Sequence, residues 1–91
     1  MVDPMAPDRL LPGEDAPNPS SQDAAHWTLV YRELIATKRS LIRSLGGMLE
    51  GLQKDARAEL ERDDMKMLKE ELARFERRFG YWEARLRPAT A

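Results

Sequence analysis

This sequence predicts an all-α protein: an antiparallel, coiled-coil-like two-helix hairpin that follows a disordered N-terminal tail and pairs with a second copy into a four-helix bundle. Three observations predict it. Two stretches repeat apolar residues by threes and fours, a polar stretch without that rhythm separates them, and a proline-rich segment precedes both. The boundaries expected are a tail at 1–22, a hairpin at 23–87 and a short C-terminal tail at 88–91.

The tail comes first. Residues 1–22 hold five of the six prolines and run to Gly, Asp, Asn and Ser, with Leu10-Leu11 the one apolar pair after Met1-Val2. Such a composition does not bury enough surface to offset its conformational entropy, so disorder is expected. Fewer than 70 of the 91 residues then remain for a core, a length at which a fold is marginal unless it is stapled or oligomeric.

Ser20-Ser21-Gln22-Asp23 supplies an S-x-x-D pattern, a capping box with Asp in place of the usual Glu or Gln. Helix one follows, expected over about 24–53. Trp27, Tyr31, Leu34, Lys38, Leu41, Leu45, Met48 and Leu52 form a heptad seam interrupted once, by Lys38. A second row, Ile35, Ile42 and Leu49, repeats every seven residues beside it, so the apolar arc spans roughly 140°. That is wide for a helix with one neighbour.

Residues 53–64 lack apolar side chains at heptad spacing, and the chain is expected to reverse there, with Asp63 or Asp64 capping the next helix. Gly46-Gly47 is the competing break, since each glycine costs about 1 kcal/mol inside a helix. A reversal at 46–47, however, leaves Phe75, Phe79 and Trp82 without an opposing helix. Helix two, over about 64–87, steps evenly through Met65, Leu68, Leu72, Phe75, Phe79, Trp82 and Leu86 until Pro88 disfavours helix at Arg87. Folding about Ala56/Arg57 sets Trp27 near Leu86, Tyr31 near Trp82, Leu34 near Phe79, Leu41 near Leu72, Leu45 near Leu68 and Met48 near Met65.

Composition narrows the function classes. With no cysteine and one histidine, disulfides, thiolate chemistry and a multi-histidine site within one chain are excluded. No apolar run approaches the roughly 18 residues of a membrane span, and the N-terminus lacks the pattern of a signal peptide, so a cytoplasmic address is expected. Arginine outnumbers lysine 11 to 4, which points to a GC-rich bacterial source. The net charge of −1 divides into −3 over residues 1–22, +2 over 23–47 and zero over 48–91. The balanced C-terminal half is a poor electrostatic footprint for nucleic acid.

Each candidate site has an ordinary structural reading beside it. Lys38 is placed to pair with Glu76 and fix helix register, or to lay its stem along the seam. Arg32, Arg39 and Arg43 share an outer face of helix one. With Tyr81, which falls off the seam, they form the candidate partner face; a solvated surface is the plain alternative. His26 has no acid–base partner in register. Asp55, Glu59, Glu61, Asp63 and Asp64 crowd the expected turn, but Lys54, Arg57 and Arg62 interleave with them and no calcium-loop spacing is present.

No catalytic residue, cofactor or metal site is therefore expected. The row Ile35, Ile42 and Leu49, left wet by a narrow partner stripe, is the expected self-association surface of a two-fold homodimer. The function expected is that of an adaptor or regulatory module binding another protein. A nucleic-acid factor using the Arg32/Arg39/Arg43 face and a structural subunit of a larger assembly are the alternatives.

Overall fold

A computed structural model describes residues 8–15 and 19–86. Helix is the only regular secondary structure among them. The first helix, α1 (Ser21–Leu49), begins at the expected capping box. The Asp23 N–H donates to Ser20 Oγ at 3.1 Å, and the Ser20 N–H donates to an Asp23 carboxylate oxygen at 2.8 Å. Two otherwise orphaned donors are thereby satisfied.

The chain reverses at residues 50–53, not within 53–64 and not at Gly46-Gly47. The Gly51 and Leu52 N–H groups donate back to the Met48 and Leu49 carbonyls, both at 3.1 Å, and Gln53, in extended conformation, starts the return. The return limb is α2 (Lys54–Leu60), a π-helical turn (Glu61–Met65) and α3 (Lys66–Leu86) in direct succession. The stretch expected to turn is thus helical. It is rich in Ala, Glu, Arg and Lys, with no glycine or proline to break it. It lacks apolar rhythm because it buries no side chain. Asp63 and Asp64 accordingly lie inside the π turn and cap nothing. Gly46 and Gly47 stay helical, and a Cβ at either would meet nothing within 4 Å, so they are not a close-contact point between the helices.

α1 packs antiparallel on α3. The core comprises Ala24, Tyr31, Ile35, Phe75 and Trp82, with Leu11, Trp27, Leu34, Leu72, Phe79 and Tyr81 against it. Because the reversal comes early, partners shift by about a turn from those expected. Trp27 stacks on Trp82, not near Leu86, with ring centroids 6.5 Å apart, and Tyr31 meets Phe75 at 5.9 Å. Lys38 pairs with Glu71 at 3.4 Å, while Glu76 lies 3.9 Å from Arg39.

α1 is also rotated relative to the expected seam. Ile35 and Leu49 are buried and Ile42 is half-buried, so the row assigned to self-association faces the return limb of its own chain. The seam residues Leu41 and Met48 are instead 48% and 57% exposed, and Leu86, at the end of α3, is 42% exposed. Ala24 and Thr28, both buried, present small side chains that favour this rotation; Thr28 satisfies its hydroxyl on the Ala24 carbonyl at 2.6 Å. Leu45, Met65 and Leu68 remain half-buried.

The other departure is at the N-terminus. Residues 8–15, expected as disordered tail, lie against the open end of the hairpin as a strap. The remainder of that expectation, at 1–7 and 16–18, and the C-terminal tail at 88–91 lie outside the described residues.

Candidate functional site

The strap turns at Leu11-Pro12-Gly13-Glu14. Proline presets the first corner, and Gly13 adopts φ +87, which only glycine takes without strain. The Glu14 N–H closes the turn on the Leu11 carbonyl at 3.0 Å. These are the marks of a type II turn. It delivers the Glu14 side chain into the gap between α1 and α3, where the residue is 3% exposed.

Every acceptor site of that carboxylate is used. Oε1 accepts from the Leu11 N–H at 2.8 Å and from the Tyr31 hydroxyl. Oε2 accepts from Arg78 Nε and Trp82 Nε1, each at 2.8 Å. A buried charge is tolerable only when paired and fully hydrogen-bonded, and this one is. Burial alone pushes the Glu14 carboxyl up, but hydrogen bonds from Tyr31, the Leu11 N–H, Trp82 and Arg78 outweigh it and hold the group below its ordinary range. Burial and the bond to Glu14 in turn push the Tyr31 phenol well above its usual value.

Two further contacts tie the strap to α3. Arg77 grips Asp8 with two bonds, at 2.8 and 2.7 Å, and Arg74 donates to the Arg9 carbonyl at 2.7 Å. The Arg77 hydrogen bond holds the Asp8 carboxyl below the usual carboxylate range. Leu11 packs on the core, and Gly13 runs beside the Trp27 ring.

Below the strap, toward the turn, the same flank is open. On α1 it carries Val30, Leu34, Thr37, Leu41, Ser44 and Met48, in steps of four and three and without a charge. On the return limb it carries Asp64, Met67, Glu71 and Arg74 at the same spacing. Leu41, Leu45 and Met48 face Met67 and Leu68 across an apolar groove, and Met67 is 54% exposed.

Among the remaining candidates, Lys38 and Tyr81 are placed differently from expectation. Lys38 is largely covered, its ammonium near Glu71 and 5.6 Å from the Phe75 ring centre. Arg32, Arg39 and Arg43 are all exposed; Arg32 lies over the Phe79 ring and Arg39 reaches Glu76. Tyr81 is not a free contact, because the Arg78 and Arg85 guanidinium groups lie 4.0 and 3.5 Å from its ring centre. His26 sits edge-on to Trp27. Asp55, Glu59, Glu61, Asp63 and Asp64 are exposed, and among the described residues no cluster of ligands suited to a metal ion occurs.

The sequence reading missed Glu14 and its arginines. The available signal was Pro12-Gly13 between Leu11 and Glu14, since a Pro-Gly pair specifies a turn even in a polar segment. No protein-family model matches the chain, and neither curated proteins nor solved structures give a significant match.

Proposed function

We propose that this chain is a non-catalytic, cytoplasmic interaction module, a helical hairpin that works by association with protein, and that its first partner is a second copy of itself. The observation that carries this reading is the uncharged flank of α1, in a chain of which 34% is charged. Leu41, Met48 and Met67, each about half exposed, line one groove, a pattern characteristic of a surface that is covered in use.

Charge complementarity favours a second copy. On the return limb Asp64 lines the groove and Arg74, which also donates to the Arg9 carbonyl of the strap, lies beyond it, about 15 Å along the axis. An antiparallel copy related by a two-fold axis sets Asp64 of each chain opposite Arg74 of the other, while the apolar rows meet between them. The two copies then form the four-helix bundle, with Leu41 nearest its two-fold axis and Leu45 and Met48 to either side. A non-catalytic role agrees with Glu14, the most buried carboxylate described, having no acceptor site left for a substrate proton. Among the described residues no helix is long and apolar enough to cross a membrane, in keeping with the address proposed.

Sedimentation equilibrium of the full chain tests the reading. The native protein is expected to show concentration-dependent association, and Met48→Glu to sediment as a monomer of unchanged helicity. Identical mass distributions for the two proteins overturn it.

A further inference from the structure

The strap and the open groove occupy one flank of the hairpin. On α1 this flank carries Val30, Leu34, Thr37, Leu41, Ser44 and Met48, with Trp27, Tyr31, Lys38 and Leu45 along its inner edge. On the return limb Met67, Glu71, Arg74 and Arg78 do the same. The strap covers the upper part of this flank: Gly13 adjoins Trp27, and Glu14 lies between Tyr31, Arg78 and Trp82. The lower part, from Leu41 to Met48, is bare.

The sizes of the two parts decide what each supports. Two helices side by side present a face about 20 Å wide, and the flank below the strap, from Leu41 to Leu52, is about 17 Å long. That gives a footprint of about 340 Å², less than half the roughly 800 Å² per partner of a stable interface. With the strap displaced, the flank runs from Trp27 to Leu52, about 38 Å, and the footprint grows to about 750 Å².

We infer that the N-terminal strap is a built-in competitor for the pairing surface: held shut by Glu14, it limits the hairpin to weak self-association, and its release exposes a flank long enough for a stable dimer. This inference rests on the flank being the pairing surface and adds what controls it. The closure is concentrated at one point. The strap's other polar ties, the two-bond Asp8–Arg77 pair and Arg9–Arg74, lie at the surface and are weaker than the buried Glu14 contacts, while Leu11 adds packing against the core. Release of the strap also uncovers the stacked Trp27 and Trp82, side chains of the type that dominates interface cores.

The test compares four full-length proteins by sedimentation equilibrium: native, Glu14→Ala, Asp8→Ala and Glu14→Ala/Met48→Glu. Hydrogen exchange at residues 8–15 reports the strap, and far-ultraviolet circular dichroism reports the helices. Glu14→Ala is expected to deprotect the strap and lower the dimer dissociation constant at least 10-fold. Asp8→Ala removes only an exposed tie and is expected to shift it in the same direction by two- to three-fold. The double variant is expected to return to monomer. A deprotected strap with unchanged or weaker dimerisation in Glu14→Ala and Asp8→Ala overturns the competitor role, while leaving the flank reading intact if Met48→Glu alone still disperses the native protein. Tighter association that Met48→Glu fails to reverse overturns both.

Discussion

Replacing Glu14 with glutamine retains the shape of the side chain and removes its charge, which makes it a sharp probe of the strap. In the folded chain the two carboxylate oxygens meet four donors: the Leu11 N–H, the Tyr31 hydroxyl, Arg78 Nε and Trp82 Nε1. A glutamine amide offers one oxygen and one NH₂. With the oxygen toward Arg78 and Trp82, the NH₂ faces the Leu11 N–H, which has nothing to accept it; with the amide turned round, it faces Arg78 and Trp82. Either orientation leaves at least one donor unmatched, at about 1–3 kcal/mol, and weakens the charge-assisted bond from Arg78, worth about 1.5–3 kcal/mol.

The sum for Glu14→Gln, about 2.5–6 kcal/mol, is an upper bound, because the strap can lift and let water reach the donors. A loss of about 2–3 kcal/mol is therefore expected in urea unfolding followed by tryptophan fluorescence. The acid limb gives an independent check. The folded carboxyl of Glu14 lies below its unfolded value of 4.5, so its contribution is fully present above about pH 4.5 and is lost as pH falls through the lower, folded value. Native protein is expected to lose this increment of stability below pH 4.5, and Glu14→Gln is expected to lack that part of the slope. A variant within about 0.5 kcal/mol of native at pH 7, the scale of a neutral surface change, with the same acid slope, refutes the buried-carboxylate account.

Two other expectations follow from the same structure. Gly46→Ala and Gly47→Ala add a methyl group into open space within α1 and should each stabilise the hairpin by about 0.5–1 kcal/mol, seen as a higher thermal midpoint; a loss from either change shows that the backbone needs glycine there. Tyr31 has its folded pKa raised above the ordinary 10, so its contribution is complete below pH 10 and lost as pH rises through the folded value. Tyr31→Phe should abolish that alkaline loss, and an identical pH profile above 10 in the variant counts against the assignment.

What the sequence revealed and what it concealed follow from different physics. Helix periodicity is a local property, so both helical limbs and the Ser20–Asp23 cap were legible. Where the chain reverses depends on a balance between weak preferences. Residues 53–64 lack apolar rhythm and so resemble a turn, but strong helix formers need no buried face to stay helical beside a packed neighbour. The rotation of α1 was hidden because an arc of roughly 140° offers two apolar rows, and their sequence alone does not say which faces inward. Only tertiary packing chose Ile35 and Leu49 over Leu41 and Met48. Glu14 was concealed for another reason: an acid in a proline-rich segment looks solvated until its donors, more than 60 residues away for Arg78 and Trp82, are folded against it.

The π turn at Glu61–Met65 accommodates one residue more than an α-helical turn of the same height. It therefore acts as a phase adjuster on the return limb. Without that surplus residue, Lys54–Leu60 would swing by about 100° around the axis relative to α3, and Leu60, now half-buried, would rotate with it. The π turn thus sets the angular offset between the loop-proximal and aromatic ends of the return limb. A single-residue insertion or deletion near the bend has a place to be absorbed, without disturbing how Phe75 and Trp82 meet α1.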